Sequence, residues 1–219
     1  MFGDNPIRKP LKHDGNTLEV KSIFPTLQGE GPYAGWPSVF IRLGGCNLAC
    51  NFCDTEFEDY KEMSTADIIK QIKTLAEHRK LVVITGGEPF RQNISPLCEA
   101  LIAENFKIQI ETNGTLYREL PEAVEIVCSP KNTTGQYAKV REDLLPRINA
   151  FKFIVACDRD GYGKVEEVGQ STHNTPVYVQ PMDEYDEAKN NANLSLAMQL
   201  ASQHGYLLSL QTHKILGIE

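Results

Sequence analysis

The 219-residue sequence lacks two features that would assign it to large classes of function: a long apolar run and a dense basic run. No stretch approaches the roughly 20 consecutive apolar residues that a transmembrane helix needs, so we expect no membrane association. Acidic residues outnumber basic ones by 29 to 22, and the formal net charge is −7. A surface of that charge repels phosphate backbones, so we expect no nucleic-acid partner.

The sequence also lacks a fourth cysteine close to a group of three. Cys46, Cys50 and Cys53 lie within eight residues in the spacing C-x3-C-x2-C, whereas the other three cysteines stand singly in apolar runs. Isolated cysteines in apolar runs are typical of a protein core. The N-terminal residues carry no apolar segment of the secretory type. A compact cysteine group without a secretion signal favours metal or cluster binding in a reducing compartment, so we expect a cytoplasmic protein.

The missing ligand leaves two kinds of site open. A structural zinc ion takes four protein ligands, but no second cysteine pair exists, and His78 lies at the end of a predicted helix. A catalytic zinc ion takes three protein ligands and a water, which agrees with three cysteines. A cubane [4Fe–4S] cluster also agrees with three cysteines, because three thiolates hold three irons and the fourth iron remains for an external ligand.

Short apolar runs alternate with helical patterns beyond residue 20. The runs are rich in β-branched and aromatic residues, as expected for strands buried on both faces of a sheet. Repeated β–α units predict an α/β fold whose parallel sheet is open or curled into a barrel. The predicted strands are 38–45, 81–87, 106–114, 125–131, 150–156, 175–181 and 207–213. The predicted helices are 64–78, 93–105 and 183–205.

Polar residues and glycines gather where five of the predicted strands end. They are found at 86–88, 111–114, 129–131, 180–181 and 211–213. In parallel α/β folds the carboxyl ends of the strands carry the active site. The five sets therefore predict one shared pocket at this edge of the sheet.

The cysteine loop after a strand, followed by GGEP at 86–89, resembles the radical S-adenosylmethionine (SAM) superfamily. A closer resemblance is to the 7-carboxy-7-deazaguanine synthase family. The matching stretches are 24–57, 82–89, 110–115, 127–131, 179–183 and 208–219. This resemblance implies conversion of 6-carboxy-5,6,7,8-tetrahydropterin to 7-carboxy-7-deazaguanine with release of ammonia, in 7-deazapurine (queuosine) biosynthesis.

The resemblance also implies an architecture and partners. The expected fold is an incomplete (β/α)6-type, TIM-like barrel with an extra C-terminal strand, formed by a single domain over 21–219 after an N-terminal extension over 1–20. Expected cofactors are a [4Fe–4S] cluster, SAM and Mg2+, and the expected electron donor is a flavodoxin or ferredoxin. Few helices on a curved sheet would leave apolar surface uncovered, so we also expect a homodimer.

The resemblance assigns roles residue by residue. It assigns the cluster to Cys46, Cys50 and Cys53, and Mg2+ to Thr55. It assigns substrate contacts to Leu27, Gln28, Gly29, Arg42, Thr85, Glu111, His213 and Glu219. It assigns SAM contacts to Gly87, Glu88, Asn113, Ser129, Pro130, Lys131, Gln180, Pro181, Met182 and Asp183.

The residues themselves support a role for Arg42. It lies within the apolar stretch VFIRLGG, where an unpaired guanidinium would be costly to bury, so it needs an anionic partner. The substrate carboxylate is one candidate, because arginine binds carboxylates through two parallel hydrogen bonds. A salt bridge to an Asp or Glu is the structural alternative.

Two other functions share parts of this pattern. A glycyl-radical-enzyme activase would have the cysteine loop but would act on a protein, and it would not need QGEGP before the first strand or QTHK near residue 213. A non-catalytic zinc-binding or redox module would leave the polar strand ends without a purpose. Iron content and the brown colour of a reducible cluster distinguish the enzymes from the module.

Overall fold

The structure, a computed structural model, describes residues 5–132 and 135–218. Within these residues a single nine-stranded sheet is accompanied by four α-helices. The strands are β1 (Thr17–Leu27), β2 (Pro37–Leu43), β3 (Lys61–Ser64), β4 (Leu81–Gly86), β5 (Lys107–Thr112), β6 (Val124–Cys128), β7 (Ile148–Val155), β8 (Val177–Pro181) and β9 (Leu207–Leu208). The helices are α1 (Thr65–Ala76), α2 (Ser95–Ala103), α3 (Glu187–His204) and α4 (Thr212–Leu216).

The sheet is mostly parallel and open. Its order is β3-β1-β2-β4-β5-β6-β7-β8-β9, and every pair from β2 to β9 is parallel. Strands β1 and β3 complete one edge in antiparallel pairing. This arrangement confirms the expected α/β fold with an incomplete barrel. The β/α alternation is less regular than expected, since the described connections from β5 to β6 and from β6 to β7 contain no α-helix.

Apolar strand residues form the core beneath the helices. Residues 81–84 of β4 are fully buried, as their uninterrupted apolar sequence predicts for a central parallel strand. Helices α1 and α2 contribute Ile68, Ile72, Leu97 and Leu101 to the same cluster. Each such side chain stabilises the fold by about 1.5–3 kcal/mol relative to exposure. This core holds the carboxyl ends of the strands in place.

The helices begin and end close to their sequence signals. The Ser64 hydroxyl accepts a hydrogen bond from the Asp67 amide and caps α1. Asp186 caps α3 in the same way, and Gly205 ends that helix in the left-handed conformation at φ 71°. Among the described helices none is long and apolar enough to cross a lipid bilayer.

The structure corrects the prediction for the last strand. The predicted strand at 207–213 is only the two-residue β9, and α4 begins at Thr212. The apolar residues Leu207, Leu208 and Ile215 of this region are largely exposed. Their apolar pattern therefore does not reflect burial in the core. For that reason the pattern predicted a buried strand that the structure does not contain.

Strands β1 and β3 were not among the predicted strands. Pro25 lies inside β1 and lacks an amide hydrogen, which argues against a central strand. Strand β1 pairs with β3 only over Thr17–Val20. Pro25 lies beyond this pairing, where β1 has a neighbouring strand on one side only among the described residues. Strand β1 also begins inside the segment assigned as an N-terminal extension. The regular structure thus starts at Thr17.

Residues before β1 pack against the cysteine loop. Ile7 forms a parallel bridge with Cys46, and the Arg8 amide donates to the Cys46 carbonyl at 2.6 Å. The Arg8 guanidinium binds Glu58 at 2.6 and 2.9 Å. The Leu11 amide donates to the Arg91 carbonyl at 2.8 Å. The segment 5–11 therefore lies across the loop that carries the three cysteines.

Candidate active site

A cavity of about 400 Å³ lies at the carboxyl ends of the parallel strands. Its walls come from β1, β2, β4, β5, β7 and β8, from the cysteine loop, and from α4. The sequence-predicted residues that line it are Leu27, Gln28, Gly29, Arg42, Cys46, Cys50, Cys53, Thr55, Thr85, Gly87, Glu111, Asn113, Ser129, Lys131, Gln180, Pro181, Met182, Asp183 and His213. Glu88 and Pro130 are buried but do not line the cavity, and Glu219 lies outside the described residues.

The three cysteines of the loop face this cavity as free thiols. Cys46 is buried, and Cys50 and Cys53 are half-buried. Burial raises the pKa of all three thiols, that of Cys46 to about 12. Bound iron or zinc would reverse this effect, since a coordinating thiol is deprotonated by the metal charge.

The donor set fits a cluster better than one ion. Three thiols on one cavity wall are soft ligands of the type that iron–sulfur clusters take. Within residues 5–132 and 135–218, no three Cys, His, Asp or Glu side chains are close enough together to hold a single metal ion. Around one zinc ion, with Zn–S about 2.3 Å, the sulfurs would be only about 3.8 Å apart. A [4Fe–4S] cluster would instead be held by one thiolate on each of three irons, so the three sulfurs need not meet at one ion.

Glycines allow the cysteine loop to pack directly against the end of β4. A Cβ atom added to Gly87 would lie 1.9 Å from the Gly45 carbonyl oxygen. The backbone amides of Gly87 and Glu88 donate to the carbonyls of Leu43 and Gly45 at 3.1 and 3.0 Å. Gly87 of GGEP is therefore required by this close backbone approach, in addition to any ligand contact.

Glu88 supports the cavity from beneath. Its buried carboxylate accepts hydrogen bonds from the Thr112 hydroxyl at 2.7 Å, the Asn113 amide at 2.8 Å and the Phe90 amide at 3.0 Å. Burial raises the pKa of Glu88 to about 7, even though these hydrogen bonds oppose the shift. The residue thereby holds the end of β5, and with it Asn113, at the cavity wall.

Arg42 and Thr85 are neighbours at the ends of adjacent strands. They pair in the register of β2 and β4. The Arg42 guanidinium donates to the Thr55 hydroxyl at 3.4 Å and lies over the Phe24 ring. The ion pairs among the described residues do not include Arg42, so the salt-bridge alternative considered from the sequence has no support. The guanidinium is available to an anion in the cavity.

A buried ion network forms another wall. The Lys152 ammonium binds Glu111 at 2.9 Å and also binds Glu30. The Gln28 amide donates to Glu111 at 2.9 Å, and the Gln211 amide donates to Glu30 at 2.9 Å. Burial would raise the pKa of Glu30, but the Lys152 charge and the hydrogen bonds from Lys152 and Gln211 hold it at about 2. Burial lowers the pKa of Lys152, but its two carboxylate partners raise it by more, so the net shift is upward.

The region around α4 closes the cavity beside this network. Gly29 packs so tightly that an added Cβ would lie 2.2 Å from Nδ1 of His213. The Thr212 amide donates to the Gly29 carbonyl at 3.1 Å. Lys214 binds Asp183 at 2.9 Å and Asp54 at 3.0 Å. The polar residues of α4 thus contact the segment after β1, the segment after β8 and the cysteine loop.

The remaining predicted cofactor residues lie at and after the ends of β6 and β8. The Lys131 ammonium donates to the Ser129 carbonyl at 2.9 Å and to its hydroxyl at 2.5 Å. Burial lowers the pKa of Lys131, an effect that nearby Cys50 opposes. Gln180 is buried, and its carbonyl oxygen accepts from the Ser209 hydroxyl at 2.9 Å. The Met182 carbonyl accepts from the Asn193 amide at 3.0 Å.

Sequence analysis missed Lys152, Lys214 and Asn5, which also line the cavity. Lys152 had a usable signal, because a cation inside the apolar run AFKFIVA requires buried anions for the same reason as Arg42. Lys214 directly follows the predicted strand 207–213, and the structure places it in helix α4. Asn5 lies in the segment before β1 and has no local pattern that marks it.

Three comparisons with known proteins show what this chain is similar to. Residues 40–130 match the family model described as the Radical SAM superfamily. A protein of Rickettsia prowazekii named 7-carboxy-7-deazaguanine synthase is 57% identical over 225 residues, which cover 100% of this chain and 96% of the relative. A protein of Rhodospirillum rubrum with the same name is 40% identical over the full length of both chains. The crystal structure of QueE from Escherichia coli superposes with a TM-score of 0.72 at 27% identity, covering 89% of this chain and 93% of that one.

Proposed function

Because the chain belongs to the 7-carboxy-7-deazaguanine synthase family within the radical SAM superfamily, we propose that its cavity converts 6-carboxy-5,6,7,8-tetrahydropterin to 7-carboxy-7-deazaguanine with loss of ammonia. The observation that carries this proposal is one cavity lined both by three free cysteines and by Arg42 and the Lys152 network. The first set suits a cluster, and the second suits a polar, carboxylated ring. The family names favour neither the activase nor the zinc module considered from the sequence.

Cys46, Cys50 and Cys53 would hold the [4Fe–4S] cluster. When bound, the reduced cluster and SAM together supply the radical that abstracts a hydrogen atom from the substrate. The chain's own contribution is to orient both reactants and to exclude water. The position of the cavity among buried strand ends, whose polar side chains are largely hydrogen-bonded to one another, serves the second purpose.

The cofactor residues are assigned to the wall beside the cysteines. Gly87 and Asn113 lie at the ends of β4 and β5, close to Cys46, and the Asn113 amide lies 3.9 Å from its sulfur. Ser129 and Lys131 offer a hydroxyl and a cation to the carboxylate and ribose of SAM. Gln180 and the segment 181–183 provide backbone groups for the adenine. Glu88 acts indirectly by holding Asn113.

The substrate residues are assigned to the part of the cavity formed by Arg42 and the Lys152 network. Arg42 is suited to the substrate carboxylate, because its guanidinium has no carboxylate partner among the described ion pairs. Gln28, Glu111 and Lys152 present donors and acceptors in a rigid network that can match the edge of a pterin. His213 and Thr85 complete this side, and Leu27 packs at its rim.

A magnesium ion is proposed beside the Thr55 hydroxyl. Mg2+ prefers oxygen ligands and keeps several waters, so one protein hydroxyl plus substrate oxygens is a normal arrangement for it. Arg42 donates to the same hydroxyl, and a cation there would replace that contact. Asp54 lies next to Thr55 and can bind a water of the ion.

A homodimer, a cytoplasmic location and a flavodoxin or ferredoxin as electron donor belong to the same proposal. The exposed edge of β9, with Leu207 and Leu208, and the exposed Trp36 provide apolar surface for a second copy. Sedimentation equilibrium at micromolar concentration tests the dimer, which predicts twice the chain mass of 24.5 kDa.

The proposed reaction is tested with protein reconstituted without oxygen. With SAM, Mg2+, reductant and 6-carboxy-tetrahydropterin, we expect a deazapurine product detected by mass and about four irons per chain. Cys50→Ala should abolish both, whereas Cys157→Ala, at an exposed cysteine outside the loop, should abolish neither. Zinc in place of iron, or turnover by Cys50→Ala, would refute the proposal.

A further inference from the structure

The segment 5–11, called the strap below, contacts the cysteine loop near its first cysteine and near its last. Near the first cysteine, Ile7 bridges Cys46 and the Arg8 amide donates to the Cys46 carbonyl at 2.6 Å. Near the last cysteine, the side-chain amide of Asn5 donates to the Thr55 carbonyl at 3.0 Å. The strap thus contacts the loop on either side of the proposed cluster position.

The same Asn5 amide lies 3.9 Å from the sulfur of Cys53. Its Nδ2 carries two hydrogens, so one can bind the Thr55 carbonyl while the other points towards sulfur. In the free thiol, Cys53 itself donates to the Thr55 carbonyl at 3.4 Å. A sulfur bound to iron has no hydrogen to donate and becomes an acceptor only. Asn5 is then the donor that this sulfur needs.

The strap is held firmly enough to keep Asn5 in place. Arg8 binds Glu58 through two hydrogen bonds. The Leu11 carbonyl accepts from Arg118 at 2.5 Å, and the Lys9 carbonyl accepts from the buried Arg91 at 3.3 Å. Pro6 restricts the backbone between Asn5 and these anchors. A donor fixed by its surroundings loses less entropy on binding than a mobile one.

Building on the function proposed above, we propose that Asn5 is a positioning residue of the active site, which acts through the Cys53 sulfur to stabilise the reduced cluster. Hydrogen bonds to cluster sulfurs are among the factors that set reduction potentials. Reduction adds negative charge to the cluster and its sulfurs, and a nearby N–H donor stabilises that charge. Removing the donor should therefore make the cluster harder to reduce.

The test compares the midpoint potential of the cluster in Asn5→Leu with the wild-type value, measured without SAM or substrate. Leucine keeps the approximate size of asparagine but has no donor. We expect a more negative potential, so that at a fixed potential the ratio of reduced to oxidised cluster falls several-fold. Asn16→Ala is the matched control, because Asn16 binds Asp14 in the same part of the chain, away from the cluster loop. It should leave the potential unchanged.

A second variant keeps the test decisive if Asn5→Leu loses the cluster. Should Asn5→Leu fail to retain iron, Asn5→Gln, which keeps a side-chain amide, should restore the iron content. Loss of iron from both variants would overturn the proposal, since shape alone would then explain the residue. An unchanged potential in an iron-loaded Asn5→Leu protein would overturn it as well. A wild-type chain that holds no cluster would instead refute the proposed function, and with it this inference.

Discussion

Two cations occupy apolar strands near the cavity, and they differ in their partners. Lys152 in β7 binds two carboxylates, whereas Arg42 in β2 contacts only the Thr55 hydroxyl and the Phe24 ring among the interactions described. A cation that is already neutralised by the protein serves mainly to orient its partners. A cation without a carboxylate partner is suited to bind one from a ligand.

Arg42→Ala should weaken substrate binding far more than SAM binding. A charge-assisted hydrogen bond contributes about 1.5–3 kcal/mol, so the substrate dissociation constant should rise at least about tenfold. Anaerobic calorimetry with each ligand measures the two effects separately. Arg79→Ala, at a surface pair with Glu77, is the matched control and should change neither constant. Equal losses for both ligands would show that Arg42 does not face the substrate.

Lys152→Met should destabilise the protein through the carboxylates it leaves behind. Breaking a buried ion pair by removing one partner costs about 3–5 kcal/mol, because Glu30 and Glu111 would remain buried without their cation. Urea unfolding of the cluster-free protein measures this loss. Lys107→Met removes a more exposed pair with Glu125 and should cost only about 0–1 kcal/mol. Similar losses of unfolding free energy in the two variants would contradict the argument that burial sets the cost of breaking the ion pair.

Single residues were predictable from the sequence to different degrees. The cysteine spacing and the polar strand ends identified the cysteine loop and the strand ends that line the cavity, and the family resemblance added Gln28, Arg42 and Thr55. Lys152 was missed although its apolar surroundings carry the same signal as those of Arg42. Glu88 was assigned to the cofactor, but its carboxylate is satisfied by Thr112, Asn113 and Phe90 beneath the cavity. No sequence pattern distinguishes such a support from a ligand.

At the scale of elements, the junction between β4 and the cysteine loop has no room for a side chain at Gly87. Gly87→Ala would place a methyl group 1.9 Å from the Gly45 carbonyl oxygen, so the loop must move. We expect the variant to fold but to retain much less iron, measured per chain after anaerobic reconstitution. Gly163→Ala is the matched control, since nothing lies within 4 Å of its added Cβ. Wild-type iron content in Gly87→Ala would show that the loop can adjust.

Element boundaries followed the sequence wherever local signals and burial agreed. The cap at Ser64 placed the start of α1, and the glycine at 205 placed the end of α3, each within one residue, whereas α3 begins four residues after its predicted start at 183. The prediction was wrong for β9 and α4, whose apolar residues are exposed, and it omitted β1, where Pro25 interrupts the pattern. Periodicity reports burial within the chain, so it cannot describe segments whose apolar residues face outward.

At the scale of the whole molecule, two buried carboxylates give stability opposite dependences on pH. The pKa of Glu30 is held at about 2, below its unfolded value, so its contribution is lost as pH falls from about 4.5 to 2. The pKa of Glu88 is raised to about 7, so the folded state binds the extra proton and stability falls as pH rises from about 4.5 to 7. The cluster-free protein should therefore be most stable near the acidic end of this interval.

Glu88→Gln isolates the second effect. Without an ionisable group at this position, the fall in stability between pH 5 and pH 8 should shrink by about 2.5 kcal/mol, because the proton that the folded state holds up to about pH 7 is absent. Urea unfolding at pH 5, 6, 7 and 8 measures the slope. Glu122→Gln, at an exposed position, should leave the slope as it is in the wild type. An unchanged slope in Glu88→Gln would mean that the carboxyl titrates normally in the fold.

The hydrogen bond between Thr212 and Gly29 joins residues that are 183 positions apart, whereas the three cysteines lie within eight. Contacts between distant residues form late in folding, because a long loop must first be closed. A newly made chain can therefore gather its reactive sulfurs before the walls that shield them exist. We expect immature protein to be more easily damaged by oxygen than the finished enzyme, so that cells need to protect it most during synthesis.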